Sequence, residues 1–280
     1  MDSLTFLYKT IFGRVFLKLL TTRAVSRVCG AFLDSRCSAF LIKGFVRKNN
    51  INLDDYQTDG IKTFNQFFRR KIKAGLRPFD NTPSHLCAPC DGLLSVWNID
   101  KGTVLPVKQS QYTVERLLHN KELACEYEGG LCLVFRLCVN HYHRYAYADS
   151  GKKSANFFLP GILHTVRPVA LEAGPVFTEN CREYTVIESP AFGKLVQMEV
   201  GAMLVGRIVN HEGEGFAERG KEKGYFEYGG STIILLVKKA CVQINSEITR
   251  NSLAGIETPV KMGEKIGVVS TNSTTSKGVN

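Results

Sequence analysis

Three groups of residues in this 280-residue chain have types and spacings suited to chemistry. The first is Gly224-Tyr225-Phe226-Glu227-Tyr228-Gly229-Gly230-Ser231-Thr232, followed directly by the apolar run Ile233-Ile234-Leu235-Leu236-Val237. A serine hydroxyl becomes a nucleophile when a neighbouring base takes its proton. The same residues suit a turn, since glycines reverse the chain and a serine bonds the local backbone. The second group is Arg69, Arg70, Lys71 and Arg77. Guanidinium forks match phosphate oxygens, although such a cluster is equally at home as a solvated face. The third is Cys87-x-x-Cys90, which no second C-x-x-C or histidine pair completes, so no metal site is expected.

These residues need a scaffold, and the chain is long and apolar enough, at 44% hydrophobic residues, to bury a substantial core. The texture changes along it. Two helical segments are expected within residues 3–49, and a short helix near 61–72 follows the polar turn residues Asn49, Asn50, Asn52 and Asp54. Beyond Pro83, short runs rich in Val, Ile, Phe and Tyr predict strands, among them Leu131–Leu137, Tyr184–Ile187, Leu195–Val200 and Thr232–Val237. Gly129-Gly130, Asp149-Ser150-Gly151 and Gly213-Glu214-Gly215 mark turns between them. The fold class expected is α+β, a helical region over 1–60, then a mainly β domain, barrel-like or sandwich-like, over 61–270. Residues 271–280 read as a loose polar tail.

Charge is distributed unevenly. The net charge is +10, and residues 1–50 hold nine Lys/Arg against only Asp2 and Asp34. There Leu4, Leu7, Ile11, Phe12, Val15 and Leu19 recur at helical spacing with Lys9, Arg14, Lys18 and Arg23 between them, the pattern of an amphipathic helix in an anionic membrane interface or packed on its own core. No apolar run reaches the roughly 18 residues of a membrane span. A secretory signal is not evident, so the mature chain is expected to begin near Met1. Nine scattered cysteines, an odd number, suit reduced thiols in a cytosolic compartment.

Several segments together resemble the phosphatidylserine decarboxylases of bacterial type. In order they are Phe67-Phe68-Arg69-Arg70-Lys71 with Arg77-Pro78, Ala88-Pro89-Cys90-Asp91-Gly92, Phe135-Arg136-Leu137 leading to Tyr142-His143-Arg144, Pro160-Gly161, Val200-Gly201-Ala202 with Val205-Gly206, and Gly229-Gly230-Ser231-Thr232. The resemblance spans roughly residues 61–268, and ordered motifs are far harder to obtain by chance than any one alone. It implies a proenzyme that cuts itself between Gly230 and Ser231 into a larger chain, 1–230, and a smaller one, 231–280. Ser231 Oγ would attack the Gly230 carbonyl, and β-elimination and hydrolysis would leave a covalent pyruvoyl group at position 231 with loss of ammonia. Gly229 and Gly230 suit the backbone geometry of that attack. The pyruvoyl ketone would condense with the substrate amine and act as an electron sink while carbon dioxide leaves, turning phosphatidylserine into phosphatidylethanolamine.

The same resemblance implies that Asp91 and a histidine form the base system for self-cleavage, as in serine-based triads. Here the chain departs from the pattern. Many relatives carry a second histidine after Tyr-His-Arg, where this chain has Ala146 in Asn140-His141-Tyr142-His143-Arg144-Tyr145-Ala146. His143 is the favoured base, His164 the alternative, and His141 lies two residues before His143. The implied partners are phosphatidylserine and an anionic membrane surface, at the cytoplasmic face of the cell membrane and held peripherally. Arg69, Arg70, Lys71 and Arg77 would meet the lipid phosphate. The paired chains are compatible with a homo-oligomer, and nucleic acid is not an expected partner.

Three competing readings remain at this point: an uncleaved, inactive relative that only binds lipid, a pyruvoyl decarboxylase for a soluble amino acid, and a basic nucleic-acid-binding module. The intact Gly-Gly-Ser-Thr and Asp91 argue against the first. The basic amphipathic N-terminus argues against the second. The third would leave the Ser231 region without a purpose.

Overall fold

The computed structural model describes residues 10, 12–13, 22–100, 103–107, 110–162, 176–202, 207–228 and 231–270. Most of the amphipathic helix expected at 4–19, together with His164, Gly229, Gly230 and the 271–280 tail, lies outside the described residues.

A run such as Ile233–Val237, with no polar alternation, is stable as a strand only if both faces are covered. The structure covers both. One antiparallel sheet is built from β1 (Gly92–Asn98), β2 (Leu131–Leu137), β3 (Gly151–Lys153), β4 (Phe157–Leu159), β5 (Arg182–Ser189), β6 (Gly193–Gly201), β7 (Gly215–Ala217), β8 (Ser231–Val237) and β9 (Thr258–Val260). Its order is β7-β3-β5-β6-β8-β2-β1-β9, with β4 also paired to β5. β8 is therefore interior, in register with β6 from Leu195 opposite Val237 to Gly201 opposite Ser231, and with β2 from Leu131 opposite Val237 to Leu137 opposite Ser231.

Alternation along these strands divides the core. Leu133, Phe135, Ile233, Leu235 and Leu195 face two small three-stranded sheets, through Leu86, Val242, Ile244 and Ile266 of one and Tyr145 and Phe226 of the other. Cys132, Val134, Ile234, Leu236, Val196 and Met198 face short helices at Val114–Leu118 and Val176–Glu179. Ile233 through Val237 are each 0% exposed. Burying each contributes about 1.5–3 kcal/mol, so this one strand anchors much of the core. Among the described residues the large sheet does not close: its terminal strands β7 and β9 are unpaired with each other. The expected barrel-or-sandwich alternative thus resolves as layered and sandwich-like.

Three helices pack at the end of β8 where the chain enters it. In α1 (Arg23–Asp34) the Thr22 hydroxyl accepts from the Val25 N–H, and α3 (Phe64–Phe68) is capped in the same way by Thr63. Between them α2 (Phe40–Asn49) ends at Asn50 in the left-handed conformation, φ 49°. Phe45 and Phe64 meet edge-on at 5.0 Å, and Tyr228 meets Phe64 at 5.0 Å and Phe68 at 5.1 Å. The helical region is thereby fastened to the residue that precedes Gly229-Gly230-Ser231.

Candidate active site

Strand ends carry two of the sequence-predicted residues, Asp91 and Ser231. β8 begins at Ser231 between the last residues of β2 and β6, Leu137 and Gly201. On the far side of β2, β1 begins directly after Asp91, with Leu93 opposite Arg136. Asp91 and Ser231 therefore head strands entering from the same edge of the sheet. Their strands are two spacings apart, about 10 Å.

Asp91 is 6% exposed and firmly held. Arg77 donates from Nε to Oδ1 at 2.7 Å and from Nη2 to Oδ2 at 2.6 Å, and the Met262 N–H donates to Oδ1 at 2.9 Å. The Asp91 hydrogen bond raises the Arg77 pKa further. The pair borders a cleft of about 350 Å³ that is also lined by Asn140, His141, Lys261 and Glu264. His141 Nδ1 accepts from the Cys138 N–H at 3.1 Å, so in its neutral form the proton sits on Nε2. Burial lowers its pKa.

His143 is placed differently. It is fully buried, its ring lies 4.0 Å from that of Phe68, and its carbonyl accepts from the Phe226 N–H at 2.9 Å. Its Nδ1 lies 3.0 Å from the His141 carbonyl. A carbonyl only accepts, so Nδ1 carries the proton and Nε2 keeps its lone pair. That Nε2 has no hydrogen-bond partner among the described residues. Burial, reinforced by the Arg70 charge, pushes the imidazole down to about 3, so it is neutral near pH 7. No hydrogen bond joins Asp91 to His143; the backbone carbonyl of His141 orients the ring, while Asp91 is engaged by Arg77. Ala146, where the motif has its second histidine, is 1% exposed, donates its N–H to Pro89 at 2.8 Å and accepts from Gln197 at 3.0 Å. A methyl group within the core fills that position.

The basic cluster divides in the same way. Arg77 is occupied by Asp91 and by the Leu76 carbonyl. Arg70 is 2% exposed, its guanidinium 4.1 Å over the Tyr56 ring, with Nε and Nη2 free of geometrically good partners among the described residues. Arg69, Arg70, Lys71 and Arg144 line a shallow pocket of about 250 Å³. Cys87 and Cys90 are buried, and burial pushes the Cys87 thiol up to about 11. Among the described residues no cluster of His, Cys, Asp and Glu suits a metal ion.

Sequence reasoning missed two features. One is the Met262 N–H, whose role no side-chain type signals. The other is a fully buried pair, Lys223 with Glu199, joined by Asn210 at 3.1 Å from the lysine, which ties the strand Glu222–Phe226 under the large sheet. Burial raises the Glu199 pKa against the pull of Lys223. A Lys and a Glu at 24 residues' separation carry no pattern that marks them as partners.

Known proteins similar to this chain fall in one family. The family described as phosphatidylserine decarboxylase matches residues 64–268. Phosphatidylserine decarboxylase proenzyme 2 of Clostridium acetobutylicum is 44% identical over 266 residues, covering 95% of this chain and 91% of that protein. The phosphatidylserine decarboxylase proenzyme of Ruminiclostridium cellulolyticum is 41% identical, covering 93% and 89%, and that of Clostridium perfringens is 38% identical, covering 93% and 90%.

Proposed function

This chain belongs to the phosphatidylserine decarboxylase family, and we propose that it is made as a proenzyme that cuts itself before Ser231 and carries a pyruvoyl group there. Its reaction is the removal of carbon dioxide from phosphatidylserine to give phosphatidylethanolamine. The observation that carries the self-processing reading is His143: a neutral, fully buried imidazole whose unprotonated Nε2 has no partner among the described residues, in the aromatic cluster that also holds Tyr228.

In this reading His143 Nε2 takes the proton of the Ser231 hydroxyl as it attacks the Gly230 carbonyl, and the His141 carbonyl stabilises the imidazolium that forms. Asp91, fixed by Arg77 and Met262, sets its carboxyl group at the same edge of the sheet. The orphaned Nε2 also fits a group with polar atoms at position 231 after cleavage. When formed, the pyruvoyl group supplies an electrophilic carbonyl and an electron sink for decarboxylation. Arg70 is the cation best placed to meet an anionic headgroup, since its charge acts on His143, with Arg69 and Lys71 in the adjoining pocket. Of the four cations Arg77 is the least free for that role, its fork being taken by Asp91.

A lipid substrate is supported by an apolar groove of about 550 Å³ lined by Leu33, Phe40, Leu41, Phe45, Phe64 and Tyr228, with Lys48 at its side. Val28 and Phe40 are each 71% exposed on the same helical region, beside the exposed Arg27, Lys43 and Arg47. These features support peripheral contact with an anionic membrane, at the cytoplasmic face, through residues 1–60. No described helix is long and apolar enough to cross a membrane.

After cleavage the small chain 231–280 would keep β8, in the middle of the large sheet, and β9 at its end, so the two chains stay together as a heterodimer. The test is decarboxylation of phosphatidylserine in mixed vesicles. Wild type is expected to release phosphatidylethanolamine and carbon dioxide in equal amounts, and Ser231→Ala neither. Product formed by Ser231→Ala at the wild-type rate would overturn the reading.

A further inference from the structure

Asp91 has two oxygens and about four lone-pair positions, of which three are filled: Nε of Arg77 and the N–H of Met262 on Oδ1, and Nη2 of Arg77 on Oδ2. One acceptor position remains, on Oδ2. A bidentate fork fixes the plane of a carboxylate, which a single ammonium contact cannot do. Arg77 is itself fixed, with Nη1 donating to the Leu76 carbonyl at 2.8 Å, and the two side chains are only 12% and 9% exposed. Among the described residues no other side chain hydrogen-bonds Asp91, so beside the single Met262 N–H it is the Arg77 fork that sets the plane of the carboxylate. Arg77 and Asp91 lie before the proposed cleavage point and Met262 after it, so the carboxylate also joins the two segments that self-cleavage would separate.

We propose that Arg77 is a positioning residue for self-cleavage: it holds Asp91 with its one remaining lone-pair position presented at the edge where β1 and β8 begin. This rests on the self-processing reading above. In this role Arg77 acts through Asp91. Its removal leaves a nearly buried carboxylate with only the Met262 N–H, free to rotate.

The experiment follows the full chain, newly made by cell-free translation, by denaturing mass over time. It compares wild type with Arg77→Lys, Arg77→Ala and Asp91→Ala, with and without added guanidinium at concentrations well below those that unfold the wild type, and takes each melting temperature. Arg77→Ala is expected to cleave at least tenfold more slowly and to recover severalfold with guanidinium. Arg77→Lys should fall between it and wild type, and Asp91→Ala should gain nothing from guanidinium. An Arg77→Ala chain that cleaves at the wild-type rate overturns the inference. So does a folded Arg77→Ala chain that is slow and not rescued, because its defect would then be one of packing. A wild type that never cleaves overturns the self-processing reading and this inference with it, whereas a cleaving wild type beside an unimpaired Arg77→Ala overturns the inference alone.

Discussion

Burial keeps His143 neutral, and the His141 carbonyl decides which nitrogen carries its proton. If Nε2 is the base, His143→Gln, which keeps a polar side chain but no basic nitrogen, should slow self-cleavage by roughly 10²–10⁴-fold, read as the rate at which the full-length mass disappears. Burial has a second consequence. The folded-state pKa of about 3 lies below the ordinary 6.5, so between those values the unfolded chain binds more protons than the folded one. Stability linked to His143 is thus complete above about pH 6.5 and is lost as pH falls toward 3. The shift corresponds to about 5 kcal/mol over that window. In a Ser231→Ala background, His143→Gln should flatten the fall in denaturant midpoint between pH 6.5 and 4; an unchanged slope would show that other groups cause it. The sequence offered Asp91, His143 and Ser231 as candidates through their motifs, but not the tautomer of His143 or the partner of Asp91. A backbone carbonyl decides the tautomer, and the Arg77 fork with the Met262 N–H holds Asp91; nothing in the residue types along the chain pairs these groups in advance.

Strands were legible where burial on two faces leaves an unbroken apolar run, as in Ile233–Val237, or where a run is short and bounded by glycine, as in Leu131–Leu137 beside Gly129-Gly130. Their order was not. β8 lies between β6 and β2, and β2 pairs with β1, although these segments are separated by long stretches of chain. Nothing local in an apolar strand specifies its neighbour, so the edge where Asp91 and Ser231 head parallel-running strands could not be drawn from pattern alone. Glycine records some of that pairing. A Cβ on Gly224 would lie 2.1 Å from the Val209 carbonyl and 2.9 Å from the Tyr145 hydroxyl, so the strand Glu222–Phe226 can pass between its neighbours only without a side chain there. Gly224→Ala should destabilise the protein by about 1–3 kcal/mol, measured as a lower melting temperature. It should also slow self-cleavage, because this strand delivers Tyr228 and the Gly-Gly-Ser segment. A melting temperature equal to wild type would contradict the close packing of this strand.

At the scale of the whole molecule, the helices α1 to α3, the apolar groove and the basic pocket lie around the residues that lead into Ser231, so the proposed lipid contact adjoins the proposed reacting position. The surplus of ten positive charges, read from composition alone, carries the expectation of an anionic partner. The groove was not legible in the sequence, because it is made by α2, α3 and Tyr228 meeting across much of the chain. Interleaving of β8 between β6 and β2 means that a cut before Ser231 severs the peptide without dismantling the sheet, so cleavage is invisible to any measurement of the native particle's size. The most direct test is therefore the intact mass of the purified protein under denaturing conditions, beside Ser231→Ala. The expected result is two species, residues 1–230 and residues 231–280 lighter by the one ammonia lost in forming a pyruvoyl group, with the variant remaining whole. A wild type that stays at full length after long incubation with phosphatidylserine vesicles would contradict the self-processing mechanism.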